Sequence, residues 1–510
     1  MNRRCAALAA ASGLLLVVIF PKFNFHLLAW IALVPLFLAL RGQSTKNGFW
    51  LGGITGIVYF AGTVHWVTNS IHYYGGYPLI PASLITLLLC AYLALYPALF
   101  GAAVARLRRT HPSLLVLSAP AVWATLELAR TYVFSGFPWS LLGYSQYLAL
   151  PVIQVSDITG VYGISFLIVL VNAAVAEFLD DRKGYPPLVI AAVIMVLVLG
   201  YGLMRLHVPE NISGITVSVV QGNIEQDKKW DPTFQTEVLA VYTRLTQDAL
   251  QHHPDVVIWP ETATPFYFNG ERPRDRSLRE DLTSFVKEND FPLLFGSPTC
   301  EIRPGRVVHL RNSAFLLKTD GTVEAVYHKL HLVPFGEYVP LKNVLFFVEK
   351  MVQPVGDFEA GKDYTVMTIA PHGPGSTNEV KLSTAICYEI IFPDLIRRFV
   401  DRGATIITTI TNDAWFGMTA APYQHFSMAV FRAVENRVPV ARAANTGVSG
   451  FIDAKGRILD TSTIFTEAQL TRTLALRGAK TFYTRYGDVF SYLCLFSSIF
   501  LLAKPLRRIP

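Results

Sequence analysis

The sequence predicts a multi-pass α-helical membrane domain joined to an α/β domain that lies outside the membrane. Of the 510 residues, 52% are hydrophobic and only 16% are charged, well below the roughly 25% charged residues of typical soluble domains. Long apolar runs fill the chain up to about residue 207, and one more fills residues 486–503. Between them charges are frequent, and short β-rich runs alternate with helical stretches, which is typical of an α/β domain.

Eight apolar runs are predicted to cross the membrane, because a span needs about 20 apolar residues at 1.5 Å rise each. They lie at residues 5–20, 26–40, 49–71, 79–105, 113–129, 152–179, 186–206 and 486–503. The predicted domains are therefore residues 1–211 with seven spans, residues 212–481 outside the membrane, and residues 482–510 with the eighth span and a tail.

The charges of the loops predict how these spans are oriented. Twelve lysines and arginines lie in one set of loops and termini, whereas the opposite short loops hold three, Lys22, Arg130 and Arg205. Cationic loops stay in the cytoplasm, so both termini are predicted to be cytoplasmic and residues 212–481 to lie on the other side. Membrane topology explains the net charge of +7 better than nucleic-acid binding does.

The five cysteines predict neither a disulfide framework nor a metal site. They are odd in number, far apart and without any CxxC or Cys/His pattern. No phosphate-binding glycine loop is present either, so neither a metal nor a nucleotide cofactor is expected.

The α/β domain is predicted from runs of period two and of helical period. The predicted strands are Ile215–Gln221, Val256–Trp259, Pro292–Gly296, Ala314–Lys318, Leu382–Ile386, Thr405–Thr409 and Val440–Ala444. The predicted helices are Thr233–His252, Ser277–Asn289 and Tyr423–Asn436.

Three side chains of this domain have the chemistry of an acyl-transfer site. Glu261 ends a buried-looking strand, Lys329 lies in the segment Tyr327–Tyr338, and Cys387 follows a strand. A thiol needs a base to become a nucleophile, and a carboxylate can serve. Attack on a carbonyl creates an oxyanion, which a fixed ammonium can stabilise. Taken singly, each has a structural alternative: an inert buried thiol, a carboxylate that caps a helix, or a solvated lysine.

Together these segments resemble the Glu-Lys-Cys triad of the nitrilase, or carbon–nitrogen hydrolase, superfamily. The resemblance covers roughly residues 214–475 and includes the opening strand Val219–Asn223 and the segment Thr411–Gly417. With the apolar spans before and after it, the chain resembles the apolipoprotein N-acyltransferases, the membrane-bound family of this superfamily. The resemblance implies an αββα sandwich on an eight-helix membrane domain.

The resemblance also implies the roles of individual residues. Glu261 matches the family's general base, Lys329 its lysine for oxyanion stabilisation, and Cys387 its nucleophile. Four further residues match motif positions that support the site or bind substrate: Trp230, Glu337, Tyr388 and Glu389.

The implied reaction is a ping-pong acyl transfer through a thioester on Cys387. The donor would be a phospholipid, such as phosphatidylethanolamine, and the acceptor the α-amine of a diacylglyceryl-cysteine at the N-terminus of an apolipoprotein. The implied location is the bacterial cytoplasmic (inner) membrane, with the catalytic domain on the periplasmic side. Pulling acyl chains into water costs about 0.8 kcal/mol per CH₂, so such a site belongs at a bilayer surface. Residues 344–348, which are apolar, are a candidate arm that dips into the lipid.

Two other functions are compatible with parts of this pattern. A membrane-tethered amidase or hydrolase would use the same triad with water as the acceptor. A non-catalytic membrane scaffold or transporter would use the outer domain only for binding. Release of free fatty acid in the absence of an amine would identify the hydrolase. A Cys387 variant that kept the cellular phenotype of the wild type would favour the scaffold.

Overall fold

The computed structural model describes residues 2–180, 185–209, 214–226, 229, 231–303, 307–338, 358–370, 379–476 and 479–503. The chain divides into two compact units. The helical unit comprises Met1–Thr68, Pro78–Val208 and Tyr486–Pro510, and the α/β unit comprises Asn69–Tyr77 and Pro209–Arg485.

The helical unit contains four helices that are long and apolar enough to cross a membrane. They are Leu79–Thr110, Pro112–Tyr132, Val161–Asp180 and Pro186–His207. They correspond to four of the eight predicted spans. The other four predicted spans fall on Arg3–Val18, Thr45–Thr63 and the shorter apolar stretches His26–Ala39 and Val489–Ala503.

The observed helices correct the predicted boundaries of three spans. The run at 49–71 is not one helix, because helix Thr45–Thr63 ends before the short helix Trp66–Asn69 begins. The run at 152–179 is not one helix: two four-residue helices, Leu150–Ile153 and Ser156–Thr159, precede the long helix at Val161. Gly160, with a φ of +62°, interrupts the helix there, because a residue with positive φ cannot continue a right-handed α-helix. The run at 26–40 is likewise divided into His26–Trp30, a 3₁₀ turn, and Val34–Ala39.

Helix Thr45–Thr63 packs closely against helix Leu79–Thr110 because glycines line the contact. A Cβ on Gly52 would lie 2.0 Å from the carbonyl oxygen of Pro97, and one on Gly48 would lie 2.5 Å from that of Gly101. Small residues four apart let helix backbones approach in this way. This spacing is therefore a packing device of the helical unit.

The α/β unit is built on two six-stranded sheets. The first sheet has the strand order Ala468–Ala475, Gly214–Gln221, Val256–Ile258, Leu293–Arg303, Val307–Leu317 and Val323–His328. The second has the order Ile458–Thr461, Gly450–Ile452, Val440–Ala444, Ile406–Thr411, Val380–Ile386 and Met367–Ile369. The three strands Gly214–Gln221, Val256–Ile258 and Leu293–Arg303 run parallel to one another. The three strands Val380–Ile386, Ile406–Thr411 and Val440–Ala444 do the same.

Helices cover the outer faces of both sheets, which gives the expected αββα layers. Helices Gln235–Leu250 and Pro273–Glu288 contribute apolar side chains to one core with the first sheet. Helices Pro393–Asp401 and Ala421–Asn436 contact strands of the second sheet. The sheets contact each other between the helices, as Gly214–Gln221 with Val440–Ala444 illustrates. All seven predicted strands and all three predicted helices of this unit are present. Strand Val440–Ala444 has the predicted ends, and the other elements differ at one or both ends.

Candidate active site

Glu261, Lys329 and Cys387 each follow the end of a strand. Cys387 directly follows Val380–Ile386, Lys329 directly follows Val323–His328, and Glu261 lies three residues beyond Ile258. The three residues are 6%, 1% and 9% exposed, respectively. Glu261 and Lys329 both influence the pKa of the Cys387 thiol. The structure therefore brings the predicted triad together in one buried cluster.

Both carboxylate oxygens of Glu261 are held. Oε1 accepts a hydrogen bond of 2.7 Å from Nδ2 of Asn312, and Oε2 accepts one of 3.0 Å from the backbone N–H of Asn412. Lys329 Nζ lies 3.6 Å from Oε1. Glu261 starts no helix, so the capping alternative is wrong: turn residues follow it. Its carboxylate is fixed in place beside an ammonium.

A glycine in the neighbouring strand allows the turn after Glu261 to form. A Cβ on Gly296 would lie 2.5 Å from the backbone nitrogen of Thr262 and 2.7 Å from Cα of Glu261. Thr262 itself has a φ of +51°. Any larger residue at position 296 would therefore displace the carboxylate that the turn presents.

Lys329 is paired with two carboxylates. Its ammonium donates a 2.9 Å hydrogen bond to Oε1 of Glu337, whose Oε2 accepts from the backbone of Val333 at 2.8 Å. Burial lowers the pKa of Lys329, but Glu337 and Glu261 outweigh it, so the net effect is a raised pKa. Lys329 is a buried, charged ammonium, and the alternative of a solvated surface lysine is wrong.

Cys387 stands at a sharp turn. It has a φ of +54° and begins the short 3₁₀ helix Cys387–Ile391. Positive φ is uncommon for a side chain with a Cβ and clusters at functional sites. Burial, and then the charge of Glu261, raise the pKa of the thiol, while Lys329 lowers it in part. The resting thiol is therefore protonated and needs a base at the moment of reaction.

Glu389 and Tyr388 support this turn. The carboxylate of Glu389 accepts four hydrogen bonds, from the Tyr327 hydroxyl and from the backbone N–H groups of Leu330, His331 and Ile386. Burial raises the pKa of Glu389 to about 7. The carboxylate thereby ties the segment that flanks Lys329 to the strand that ends at Cys387. The Tyr388 ring lies 5.1 Å from that of Phe392.

A buried charged network lies behind Cys387. The imidazole Nε2 of His425 lies 3.2 Å from the carbonyl oxygen of Cys387, and Nδ1 lies 3.0 Å from Oδ1 of Asp413. Arg442 donates a 2.8 Å hydrogen bond to Oδ2 of Asp413. Burial would raise the pKa of Asp413, but Arg442 and His425 hold it down at about 2. This network fixes the backbone of the nucleophile.

Sequence reasoning missed two residues of the site. Asn312 donates both to Glu261 and, at 3.0 Å, to Oε1 of Glu337. Lys229, which is 1% exposed, donates a 2.8 Å hydrogen bond from Nζ to the backbone carbonyl of Glu261. A polar Asn312 between apolar runs was a signal for the first, whereas nothing distinguished Lys229 from Lys228 in the sequence.

Two predictions fall on parts of the chain outside the described residues: the supporting role of Trp230 and the arm at residues 344–348. Within the described ranges, no cluster of three or more His, Cys, Asp or Glu side chains could hold a metal ion. The five cysteines are all free thiols.

Comparisons with known proteins identify both parts of the chain. Residues 12–174 match the family described as "Apolipoprotein N-acyltransferase N-terminal domain", and residues 216–482 match "Carbon-nitrogen hydrolase". The chain is 42% identical over 514 residues to the apolipoprotein N-acyltransferase of Geobacter metallireducens, covering 99% of this chain and 96% of that protein. It is 32% identical over 494 residues to the enzyme of that name from Pasteurella multocida, covering 95% and 92%.

Among solved structures, a nitrilase-superfamily amidase from Nesterenkonia AN1 is similar to this chain at 19% identity, with a TM-score of 0.38. That similarity covers 53% of this chain and 93% of the amidase. The identity to the curated relatives extends over nearly the whole chain, membrane part included. The protein therefore belongs to the apolipoprotein N-acyltransferase family, the membrane enzymes of the carbon–nitrogen hydrolase superfamily.

Proposed function

We propose that this enzyme transfers an acyl chain from a phospholipid to the N-terminal α-amine of diacylglyceryl-cysteine in an apolipoprotein. The observation that carries the proposal is the buried cluster in which Glu261, Lys329 and Cys387 interact. It contains a nucleophile, a base and a cation, and all three are shielded from water. The names of the full-length relatives support the nature of the acceptor.

In the first half-reaction, Glu261 takes the thiol proton as the sulfur of Cys387 attacks the ester carbonyl of the donor. Burial raises the pKa of the thiol, so the thiol is protonated at rest. A base must therefore remove its proton for the attack to occur. The ammonium of Lys329 offsets the charge on the tetrahedral oxyanion. The ester C–O bond then breaks, and the proton on Glu261 passes to the oxygen of the departing lysophospholipid.

In the second half-reaction, the α-amine of the acceptor attacks the thioester. Glu261 accepts a proton from the amine, the C–S bond breaks, and the sulfur of Cys387 regains a proton. The product amide is more stable than the thioester, so this step runs downhill. The two substrates use one site in turn, which is the ping-pong scheme of covalent catalysis. Phosphatidylethanolamine is a suitable donor, and neither half-reaction needs a metal or a nucleotide.

The supporting residues have distinct proposed roles. Glu337 keeps Lys329 charged, since its negative charge, and then the hydrogen bond between them, raise the pKa of the ammonium. Glu389 and Tyr388 hold the turn of the nucleophile through the contacts described above. Trp230 is proposed to contact substrate on the strength of its motif position alone.

The enzyme is proposed to sit in the bacterial inner membrane with eight spans. Four helices already have the length and hydropathy of spans, and the even count agrees with the bias of loop charges. Both termini are then cytoplasmic, and residues 212–481 are periplasmic. Residues 1–211 and 482–510 form the membrane domain in this proposal.

Substitution of the two cysteines of the α/β unit tests the proposed nucleophile. Cys387→Ala is expected to abolish transfer of a labelled acyl chain from phosphatidylethanolamine to a diacylglyceryl peptide, because no thioester can form. Cys300→Ala is the matched control, since Cys300 lies on strand Leu293–Arg303 and is partly exposed; it should retain activity. If Cys387→Ala were active and Cys300→Ala inactive, Cys387 would not be the nucleophile.

The same assay without the amine acceptor distinguishes a transferase from a hydrolase. A transferase should release at most one lysophospholipid per enzyme and no free fatty acid, because its thioester waits for an amine. Continuous release of fatty acid would favour a membrane-tethered amidase or hydrolase over the proposed function.

A further inference from the structure

A second lysine lies against the base, and the reaction described above does not use it. Lys229 is 1% exposed, and its ammonium donates a 2.8 Å hydrogen bond to the backbone carbonyl of Glu261. An ammonium has three N–H donors, and this is the one hydrogen bond of the Lys229 side chain within the described part of the chain. Lys329, by contrast, lies within 4 Å of two carboxylates.

The charges of the site do not balance without this second lysine. Glu261 and Glu337 carry two negative charges, and Lys329 carries one positive charge, which leaves one negative charge in a buried cluster. As Cys387 attacks, its proton passes to Glu261, so the negative charge of that carboxylate moves to the sulfur and then to the acyl oxygen. A neighbouring negative charge such as that of Glu337 opposes formation of the thiolate, and a neighbouring positive charge favours it. The ammonium of Lys229 offsets the negative charge that remains on Glu261, Glu337 and Lys329 taken together.

We propose that Lys229 is a positioning residue of the active site, which anchors the main chain of Glu261 and supplies the positive charge that favours ionisation of Cys387. The inference deepens the proposed function and rests on it for the roles of Glu261 and Cys387. It assigns Lys229 an electrostatic task that a neutral residue of the same shape cannot perform.

The surroundings of Lys229 make its charge depend on pH. Burial lowers the pKa of Lys229 to about 8, opposed by the charges of Glu261 and Cys387, the two ionisable groups that act on it. Lys329 Nζ lies 3.6 Å from Oε1 of Glu261 and 2.9 Å from Oε1 of Glu337. Lys229 is therefore charged at pH 7, and its support for the thiolate disappears as the pH rises through about 8.

Alkylation of Cys387 by iodoacetamide measures thiolate formation without any lipid substrate. We compare the purified full-length protein with Lys229→Gln, which keeps a hydrogen-bond donor but no charge, and with Lys229→Met, which keeps neither. Peptide mass spectrometry assigns the adduct to Cys387. The wild type is expected to react about tenfold faster than both variants at pH 7, the effect of one pKa unit. That ratio should fall towards one above pH 9.

Controls separate charge from structure. Lys318→Met, at a half-exposed lysine of the same unit, should react like the wild type at every pH. A Lys229→Gln protein with the wild-type rate, or a ratio that is the same at every pH, would overturn the electrostatic role. The alkylation rate and its pH dependence both require a folded protein, so thermal unfolding is recorded for each variant. If Lys229→Met does not fold, the comparison of the wild type with Lys229→Gln is the test. Acylation of the wild type by phospholipid reports separately on the proposed function.

Discussion

At the scale of single residues, burial determines how each group of the site behaves. It raises the pKa of the Cys387 thiol, and Glu261 adds to that effect. Burial alone would lower the pKa of Lys329 and favour its neutral form, but two carboxylates keep that ammonium charged. A protonated thiol is less reactive than a thiolate, so the nucleophile is protected until a substrate is in place and the base acts.

Asn312 offers a test of this arrangement because one amide group serves both carboxylates. Asn312→Leu keeps the approximate size but removes the donors to Glu261 and Glu337. A hydrogen bond to a charged group contributes about 1.5–3 kcal/mol, so we expect acyl transfer to slow by roughly ten- to a hundredfold. The measurement is the initial rate of transfer to a diacylglyceryl peptide. Asn289→Leu, at an exposed helix end, is the control; a twofold or smaller loss in Asn312→Leu would contradict the proposed role.

The types of Glu261, Lys329 and Cys387 predict an acyl-transfer site from their chemistry, whereas Glu337 is predicted only by the family resemblance. The structure places these four residues close together. Asn312 was missed because its partners are more than 20 residues away along the chain. Such contacts depend on strand register, which one sequence does not specify locally.

At the scale of elements, several charged side chains of helix Ala421–Asn436 and the second sheet are fully buried. Arg432 and Glu435 form an ion pair within the helix, and both are fully buried. His425 of the same helix meets Asp413 and Arg442 from the sheet side. Periodicity predicted the helix, but it did not predict that its polar residues face inward. The amphipathic pattern assumes a solvated face, which this helix lacks.

Arg442 is expected to be essential for the stability of the α/β unit. Arg442→Met would leave Asp413 charged and buried, and breaking one partner of such a pair costs about 3–5 kcal/mol. Thermal unfolding in detergent should therefore show a lower Tm. Arg472→Met, in an exposed ion pair with Asp460, should change Tm little.

The pH dependence of this difference has a defined sign. The pKa of Asp413 is lowered from 3.8 to about 2 in the folded protein, so the pair contributes stability above about pH 4 and loses it as the pH falls towards 2. A difference in Tm between wild type and Arg442→Met that vanished already at pH 6 would contradict the pairing.

Five strands escaped prediction, and their positions explain why. Strands Ile458–Thr461 and Val323–His328 lie at sheet edges, and most of the side chains of Ile458–Thr461 are exposed. Without one consistently buried face, the alternation that marks a strand is weak. Strands Met367–Ile369 and Gly450–Ile452 have three residues each, and Ala468–Ala475 again lies at an edge.

At the scale of the whole molecule, one short segment between two helices belongs to the α/β unit. Residues 69–77 cluster with that unit. Ser70 donates a 2.7 Å hydrogen bond to the carbonyl oxygen of Trp415, and Tyr74 donates one of 2.9 Å to that of Ala414. Hydropathy alone extended the third predicted span to residue 71, because it cannot distinguish a lipid-facing apolar residue from one that packs on protein.

The proposed topology predicts the side of the membrane on which the C-terminus lies. A reporter that is active only in the periplasm, fused after Pro510, should be silent, because eight spans return the chain to the cytoplasm. The same reporter inserted at residue 375, within the α/β part of the chain, should be active. Strong activity after Pro510 would mean that the number of spans is odd.

An acyl chain held on Cys387 in the absence of an amine is the most direct sign of the proposed chemistry. Intact-mass spectrometry of the wild type after exposure to phosphatidylethanolamine should show one added acyl group, which neutral hydroxylamine removes. Glu261→Gln should acquire it far more slowly, because no base then takes the thiol proton. A wild-type protein that shows no adduct, yet transfers acyl chains when both substrates are present, would contradict the thioester and require direct transfer between bound substrates.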